Sequence, residues 1–393
     1  MLNLNSSSDL SQGTSRFAAL GIIACNEEEA ICPALESVFA QSIFSELKAR
    51  NFLLEITIIA NGCTDRTVPI ATEFLDCQRQ QHPERDAFCS QLLDVTLRSK
   101  LNAWNLFTHR YSAREAEFLI FMDADILLHH PGTLWNLIAS LENNEKASVS
   151  TDQPIKDIAF KTKKSLRERI SLGTSRMTQT SEAQMTGQLY CIRAAVARNI
   201  FLPRDLPACE DGFIKSLVCT YFLTRDLCTE RVIQASGASH IFEAYTSLSD
   251  ILKNQKRQMI GQTAVHVLVD DYLRDLPLED KLNLAETLQK LDEQQPGWLK
   301  ALIVAHLGKV KYFWRLFPNL LTFRFKRLSR LSLAKRLLHL PAALLGFFIT
   351  LFSCWSAWRM MRRGALNYWP EKKTQLANFS HERRKSLAIK TPA

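Results

Sequence analysis

The sequence lacks several patterns that would place it in a common class of protein. Its ten cysteines form no Cys-x-x-Cys pair, and none has histidines at zinc-finger spacing, which excludes the familiar structural zinc sites. Ten cysteines in 393 residues are also too few for a disulfide scaffold. The N-terminal segment MLNLNSSSDLSQGTSRF is polar and has no apolar core of a signal peptide. We therefore expect a reduced cytoplasmic body with free thiols.

Acidic residues are scarce at the C-terminal end. Residues 301–393 contain 18 Lys and Arg but only two acids, Glu371 and Glu382, which leaves 31 basic and 38 acidic residues in 1–300. The formal net charge of +9 therefore divides into −7 for the first part and +16 for the second. A mildly acidic body argues against nucleic acid as a partner, and a strongly basic end indicates an attachment region.

Buried apolar runs alternate with helix-like segments over the first 150 residues. The strand-like runs are 18–24, 53–60, 92–97 and 118–122, and a further run covers 185–192. Runs without polar alternation are typical of strands buried on both faces. They predict an α/β fold with a doubly wound, mostly parallel sheet. Ligands of such sheets bind beyond the carboxyl ends of the strands.

The strongest chemical signal is the pair Asp123 and Asp125, which follows the strand FLIFM. Neighbouring carboxylates repel each other unless a cation lies between them. A hard divalent ion bound by carboxylate and phosphate oxygens suits this pattern. A solvated turn at the end of a strand is the competing interpretation.

Other polar clusters also follow the predicted strands. They are Asn26-Glu27, the stretch from Asn61 to Asp65, Lys100, and Glu210-Asp211. Acids in a first helical turn favour the helix dipole, and Asp65 can cap a helix, so both have structural explanations. Lys100 could offset phosphate charge or lie on a solvated face. The Glu210-Asp211 pair could equally supply a general base.

In order and spacing, these motifs resemble family 2 glycosyltransferases of GT-A fold. The resemblance covers residues 17–260 and follows the series NEEE, ANGCTDRT, Lys100 to Asn105, DAD, TGQLYCIR and Glu-Asp. It implies an inverting, metal-dependent transfer of sugar from a nucleotide-sugar donor. The expected acceptor is a lipid-linked or envelope glycan at the cytoplasmic face of the membrane.

The resemblance also implies a role for individual residues. The residues matching the part that holds the nucleotide base and ribose are Asn26, Glu27, Asn61 and Asp65. Lys100 matches the basic residue near the diphosphate. Asp123 and Asp125 match the ligands of Mn or Mg, with Asp125 as the direct ligand. Gly187 and Gln188 fall where the family shapes the sugar and acceptor pocket, and Asp211 matches the catalytic base.

The sequence departs from the family at two places. Ala60 stands where many relatives carry an acid, and Gln255–Met259 lacks the Arg and Trp of the processive Gln-x-x-Arg-Trp motif. The missing Arg and Trp argue against a polymerase of the cellulose or chitin type, whereas Ala60 leaves the nucleobase open. A nucleotidyltransferase is one alternative, although ACNEEE replaces its glycine-rich basic loop. A non-catalytic membrane scaffold is the other, although the acidic pairs are intact. His240 could be a further metal ligand or a structural histidine.

The C-terminal region has the composition of a membrane attachment. We expect a disordered N-terminus over 1–16, a GT-A domain over 17–300, basic amphipathic interfacial helices over 301–339, a hydrophobic membrane segment over 340–358 and a basic tail over 359–393. The segment of 19 uncharged residues is near the length of a membrane span. Because both flanks are basic, we slightly favour attachment to anionic lipids without crossing, with Pro341 and Gly346 bending the segment.

Overall fold

The computed structural model describes residues 15–165, 168–169, 171–172, 183–245, 247–316, 322, 324–326, 328–329 and 332–366. The strands are β1 (Ser15–Ala24), β2 (Phe52–Asn61), β3 (Phe88–Val95), β4 (Phe118–Asp123), β5 (Leu127–Leu128), β6 (Val149–Lys156), β7 (Leu189–Arg193) and β8 (Val232–Phe242). The helices are α1 (Ile31–Phe39), α2 (Ile43–Ala49), α3 (Thr67–Gln81), α4 (Lys100–Leu106), α5 (Thr133–Glu142), α6 (Ala194–Ala197), α7 (Glu210–Cys219), α8 (Leu248–Asp271), α9 (Leu278–Leu282), α10 (Leu284–Gln294), α11 (Trp298–Lys309) and α12 (Leu333–Arg362).

All eight strands form one sheet in the order β3-β2-β1-β4-β7-β6-β8-β5. The four strands from β3 to β4 are parallel, and β6 is parallel to β8. Strand β7 runs antiparallel to both β4 and β6, and β5 runs antiparallel to β8. The predicted α/β fold with a mostly parallel sheet is confirmed, with β7 as the reversed strand at its centre.

The sheet is covered by helices on both faces because its central strands are apolar on both faces. Along β1, Leu20 and Ile22 belong to one buried cluster, whereas Ala19 and Ile23 belong to the other. Nine of the ten residues of β2 are buried. Such strands cannot lie at a solvated edge, and burying them requires helices on either side.

Several predicted boundaries differ from the structure. Ser15 and Arg16 already belong to β1, and residues 1–14 of the expected disordered N-terminus lie outside the described residues. Strand β3 begins at Phe88, ahead of the apolar run, because its exposed edge accepts polar residues. Strand β6 has no counterpart among the strand-like runs of the sequence.

The C-terminal helices pack against the domain itself, so the core does not end at residue 300. Ile303 and Leu307 of α11 are buried in the same cluster as α7 and α8, and so are Cys354 and Ala357 of α12. Helix α12 runs unbroken through Pro341, so the expected bend is absent. Of the expected interfacial helices over 301–339, residues 301–309 belong to α11 and residues 333–339 to α12. Residues 317–321, 323, 327, 330 and 331, and the tail beyond 366, lie outside the described residues.

Candidate functional site

A polar cleft of about 350 Å³ opens at the carboxyl ends of β1 and β4. Sequence-predicted residues that line it are Glu27, Lys100, Asp123, Asp125, Gly187, Gln188, Glu210 and Asp211. These residues come from five separate segments of the chain. The parallel strands bring them together because their carboxyl ends meet at one edge of the sheet.

Lys100 joins the two acidic motifs of the cleft. It is the first residue of α4, whose preceding Ser99 caps the helix by accepting a hydrogen bond from the backbone N–H of Asn102. The ammonium of Lys100 lies 2.7 Å from Oδ1 of Asp123 and 3.0 Å from Oε1 of Glu210. Burial lowers the pKa of Lys100, but these two carboxylates outweigh it and raise the pKa above its usual range.

This pairing changes the role expected for Lys100. Its ammonium also donates to the carbonyl oxygen of Gly187 at 3.1 Å. A side chain at Gly187 would meet Oε1 of Glu210 at 2.8 Å, so the glycine allows the backbone to approach the ion network. The placement beside the donor diphosphate stays a prediction, whereas the contact with Asp123 and Glu210 is a feature of the structure.

Three carboxylates of the cleft lie close enough to influence one another's charge, namely Glu27, Asp123 and Asp125. Burial, followed by the charges of Asp125 and Asp123, raises the pKa of Glu27 to about 9. Burial and Asp125 raise the pKa of Asp123 to about 7 against the opposing effect of Lys100. Carboxylates that raise each other's pKa form a site whose negative charge a cation would relieve.

The donor set fits a divalent cation only if the substrate supplies ligands. Among the residues that the structure describes, no group of three or more His, Cys, Asp or Glu is arranged to hold a metal. Magnesium is commonly held by one or two carboxylates together with substrate phosphates. Asp123 binds Lys100, and direct ligation of the cation by Asp125 stays a prediction.

Glu210 and Asp211 open α7, but their surroundings differ. Burial raises the pKa of both carboxyls, yet Lys100 reverses the effect for Glu210 and lowers its pKa. For Asp211, burial and the charge of Glu210 raise the pKa to about 6. A base must be available to accept a proton at neutral pH, and a pKa near 6 suits that task better than a carboxylate held by an ammonium.

The residues expected to hold the nucleotide organise the neighbouring loops. Asn26 adopts φ 57° and accepts a hydrogen bond from the backbone N–H of Thr64 at 2.7 Å. Asn61 accepts from the backbone N–H of Ser99 at 2.7 Å. Asp65 accepts from the hydroxyl of Thr67 at 2.6 Å. Of the predicted nucleotide residues, Glu27 lines the cleft, and the other three tie β1, β2 and α4 together beside it.

His240, the possible metal ligand of the sequence analysis, lies in a structural position. His240 is fully buried, with Nδ1 2.6 Å from Oδ2 of Asp152 and Nε2 3.4 Å from Oε1 of Gln188. His129 and His130 follow β5 in the loop that leads to α5. His240 therefore meets the lining of the cleft through Gln188 and through a ring contact with Phe242.

Sequence reasoning missed one wall of the cleft. Helix α8 contributes Lys253, Asn254, Arg257 and Gln258 to the lining, and the segment after β8 contributes Glu243 and Tyr245. The signal was present as basic residues four positions apart at 253 and 257. It was overlooked because this stretch was compared only with the processive motif.

Comparison with known proteins gives one family match. Residues 20–200 match the model described as "Glycosyl transferase family 2". None of the curated proteins matches the chain in sequence.

Solved structures give distant likenesses. S. aureus TarS 1-349 is 17% identical with a TM-score of 0.41, covering 88% of this chain and 92% of that one. Its complex with UDP-GlcNAc is 16% identical with a TM-score of 0.38, covering 90% and 93%. Glucosyl-3-phosphoglycerate synthase from Mycobacterium tuberculosis, with Mn2+, UDP-Glc and phosphoglyceric acid, is 16% identical with a TM-score of 0.40, covering 67% and 81%.

The family match spans the strands that build the acidic part of the cleft, from β1 to β7. It agrees with the sheet, whose parallel strands carry the acidic pair Asp123 and Asp125 at their carboxyl ends. The match over residues 20–200 and this α/β sheet together indicate a glycosyltransferase domain similar to glycosyl transferase family 2.

Proposed function

We propose that the protein is an inverting, metal-dependent glycosyltransferase that moves a sugar from a nucleotide-sugar donor to a lipid-linked or envelope-glycan acceptor. The observation that supports this best is that Asp125 and Asp211 line one cleft. Lys100 links their two motifs, because its ammonium contacts Asp123 in the first and Glu210 in the second. One carboxylate is suited to a cation and the other to a proton. Transfer with inversion requires both tasks at a single sugar carbon.

The residues divide the chemistry between them. Asp211 accepts the proton of the acceptor hydroxyl as its oxygen bonds to C1 of the sugar and the bond from C1 to the diphosphate breaks. Lys100 pairs with Asp123 and Glu210 and holds both side chains in place. A bound Mn or Mg, held by Asp125 with Asp123 beside it, would supply positive charge to the diphosphate. Gly187 and Gln188 form the floor beside the sugar.

A donor panel tests the proposal. Purified protein is incubated with individual nucleotide sugars in the presence of Mn or Mg, and release of nucleoside diphosphate is measured with and without chelator. We expect at least one donor to be consumed only with metal, since two carboxylates alone leave the diphosphate charge uncompensated. Release of pyrophosphate from a nucleotide triphosphate and a sugar phosphate would instead identify a nucleotidyltransferase. Absence of turnover and binding across the panel would favour a scaffold.

We also propose that the enzyme is attached to the cytoplasmic face of the membrane through α12. The residues from 339 to 362 are long and apolar enough to cross a membrane by length and composition. Helix α12 has two apolar faces. One carries buried residues against α8 and α11, namely Cys354, Ala357 and Met361. The other carries exposed residues, namely Leu333, Leu337, Leu340, Leu344, Phe348, Phe352 and Trp355.

The packing of α12 favours attachment without crossing. The sulfur of Cys354 lies 3.7 Å from that of Met259 in α8, and Ser353 donates to Oε1 of Gln255 at 3.3 Å. A membrane span would require this face to separate from the domain. The guanidinium groups of Arg359 and Arg362 lie over Trp355 and Trp358, a pairing suited to the headgroup region. Anionic lipid is therefore the expected partner of the exposed face.

Charged substitutions on the exposed face should weaken membrane binding. We expect Phe348→Asp with Phe352→Asp to reduce affinity for anionic vesicles by roughly a hundredfold or more, because each Phe loses about 1.5–3 kcal/mol of apolar burial. Sedimentation with vesicles of anionic and of zwitterionic lipid measures this. The matched control is Leu278→Asp with Leu282→Asp, since these side chains are also exposed but lie on α9. Equal binding by all variants, or a dimer that dissociates in the first variant, would contradict the membrane assignment.

A further inference from the structure

Helix α8 presents a basic face to the cleft. Lys253, Arg257 and Gly261 are spaced four residues apart, which places them one above another on the same side of the helix. Lys253 and Arg257 line the cleft together with Asn254, whose side-chain oxygen lies 3.4 Å from Nη2 of Arg257. This face is the one that sequence reasoning missed.

Gly261 fixes this face against the segment that precedes the base. A Cβ at position 261 would lie 2.0 Å from the carbonyl oxygen of Ala208 and 2.6 Å from the sulfur of Cys209. The backbone of α8 therefore touches the loop that leads into Asp211. Cys209 has φ 80° in that loop, and its sulfur lies 3.8 Å from the carbonyl oxygen of Gln258. One turn before Gly261, Arg257 is held beside the start of α7.

The charge of Arg257 reaches the catalytic pair. Arg257 lowers the pKa of Asp211, although burial and the charge of Glu210 have larger effects in the opposite direction. Arg257 also lowers the pKa of Glu210. The cations that line the described cleft are Lys100, Lys253 and Arg257. Lys100 is bound to Asp123 and Glu210, so Arg257 is the cation of α8 that acts on the base, and Lys253 lines the same cleft one helical turn away.

The stereochemistry of inversion indicates whether the acceptor or the departing diphosphate lies beside these cations. In a single displacement the attacking oxygen and the leaving group lie on opposite sides of the sugar carbon, so the base and the leaving diphosphate are also on opposite sides. Cations beside the base therefore face the acceptor rather than the departing diphosphate. An acceptor that carries negative charge next to its hydroxyl complements this side of the cleft better than a neutral one.

We propose that Lys253 and Arg257 bind a phosphate group of the acceptor, next to the hydroxyl that Asp211 deprotonates. The proposal rests on the glycosyltransferase function proposed above and narrows its acceptor to a phosphate-bearing class. Arg presents a planar pair of donors to phosphate, and Lys adds a mobile point charge. The four-residue spacing lets both reach one phosphate from the same face of α8.

The test uses glycerol 3-phosphate as the probe and the full-length protein. Binding is measured by ligand-observed NMR, with glycerol as the uncharged comparison. We expect Arg257→Gln and Lys253→Gln each to weaken probe binding by about tenfold or more, the effect of losing one charge-assisted hydrogen bond. The matched control is Lys256→Gln, a neighbouring lysine of α8 that does not line the cleft. It should keep probe affinity within about twofold.

A second experiment distinguishes a site for the acceptor phosphate from a site for the donor diphosphate. The probe is titrated into protein saturated with a nucleoside diphosphate and Mn, and simultaneous binding of both supports an acceptor site. Displacement of the probe by the nucleoside diphosphate would overturn the proposal and assign the cations to the donor. Unchanged probe affinity in the Lys253→Gln, Arg257→Gln double variant would also overturn it. Because the probe binds without turnover, this result stands apart from failure of the donor panel.

Discussion

Replacing Asp211 by Asn is expected to leave donor affinity unchanged and to slow sugar transfer by roughly a hundredfold or more, the range for loss of a general base. The amide keeps the size of the side chain but cannot accept the acceptor proton. Glu210 is the weaker base because its Oε1 lies 3.0 Å from the ammonium of Lys100, which lowers the pKa of this carboxyl. Single-turnover transfer, measured beside equilibrium binding of the donor, separates the two effects.

The pH dependence provides a second check on the same residue. The pKa of Asp211 is raised to about 6, so the acid form, which cannot act as a base, accumulates as the pH falls through 6. Wild-type transfer should therefore decline below about pH 6, whereas the residual transfer of Asp211→Asn should lack that step. Near-normal transfer by the variant would move the base to another residue, with Glu210 as the first candidate.

The parallel half of the sheet was predictable because its strands are apolar on both faces. The runs that became β1, β2 and β4 were located to within a few residues. Strand β3 was placed too late because it mixes polar and apolar residues at the edge of the sheet. Helix α1 begins at Ile31 rather than at the acidic cluster, since Asn26 adopts a left-handed conformation that interrupts the chain after β1.

The cleft was predictable only in part, and charge pairing explains the limit. The acidic motifs follow the ends of strands, and a parallel sheet brings those ends together regardless of the conformation of the loops. The sequence does not show that Lys100 pairs with Asp123 and Glu210 rather than with a ligand, because both partners are distant from it in the chain. The α8 wall was missed for a related reason, because its position depends on the close contact of Gly261 with Ala208.

The C-terminal helix shows a different limit. An uncharged segment of 19 residues has the same composition whether it crosses a membrane, lies on one or packs in a core. In the structure its two faces have different environments, with Ala357 buried and Phe348 60% exposed. Composition averages over the faces of a helix, so it cannot distinguish them. The packing against α8 is the observation that supports the proposed attachment without crossing.

Replacing Asp125 by Ala is expected to abolish the metal dependence of donor binding while the fold is retained. Asp123 has its oxygens within reach of Lys100 at 2.7 and 3.0 Å, which leaves Asp125 as the carboxylate better placed to bind a cation directly. The ratio of donor affinities with and without Mn should fall to about one, because a hard cation needs at least one carboxylate besides the substrate phosphates. Titration calorimetry at fixed ionic strength measures that ratio.

The variant also has an electrostatic consequence that distinguishes a lost ligand from a damaged fold. Asp125 is the largest carboxylate influence on the pKa of Glu27, which stands at about 9, and its removal lets that pKa fall. Asp125→Ala should therefore be as stable as wild type to heat, since it relieves repulsion in a buried acidic cluster. The matched control is Asp226→Ala, an exposed acid remote from the cleft lining, which should keep the full metal response. If Asp125→Ala bound donor with the wild-type metal response, Asp125 would not be a metal ligand.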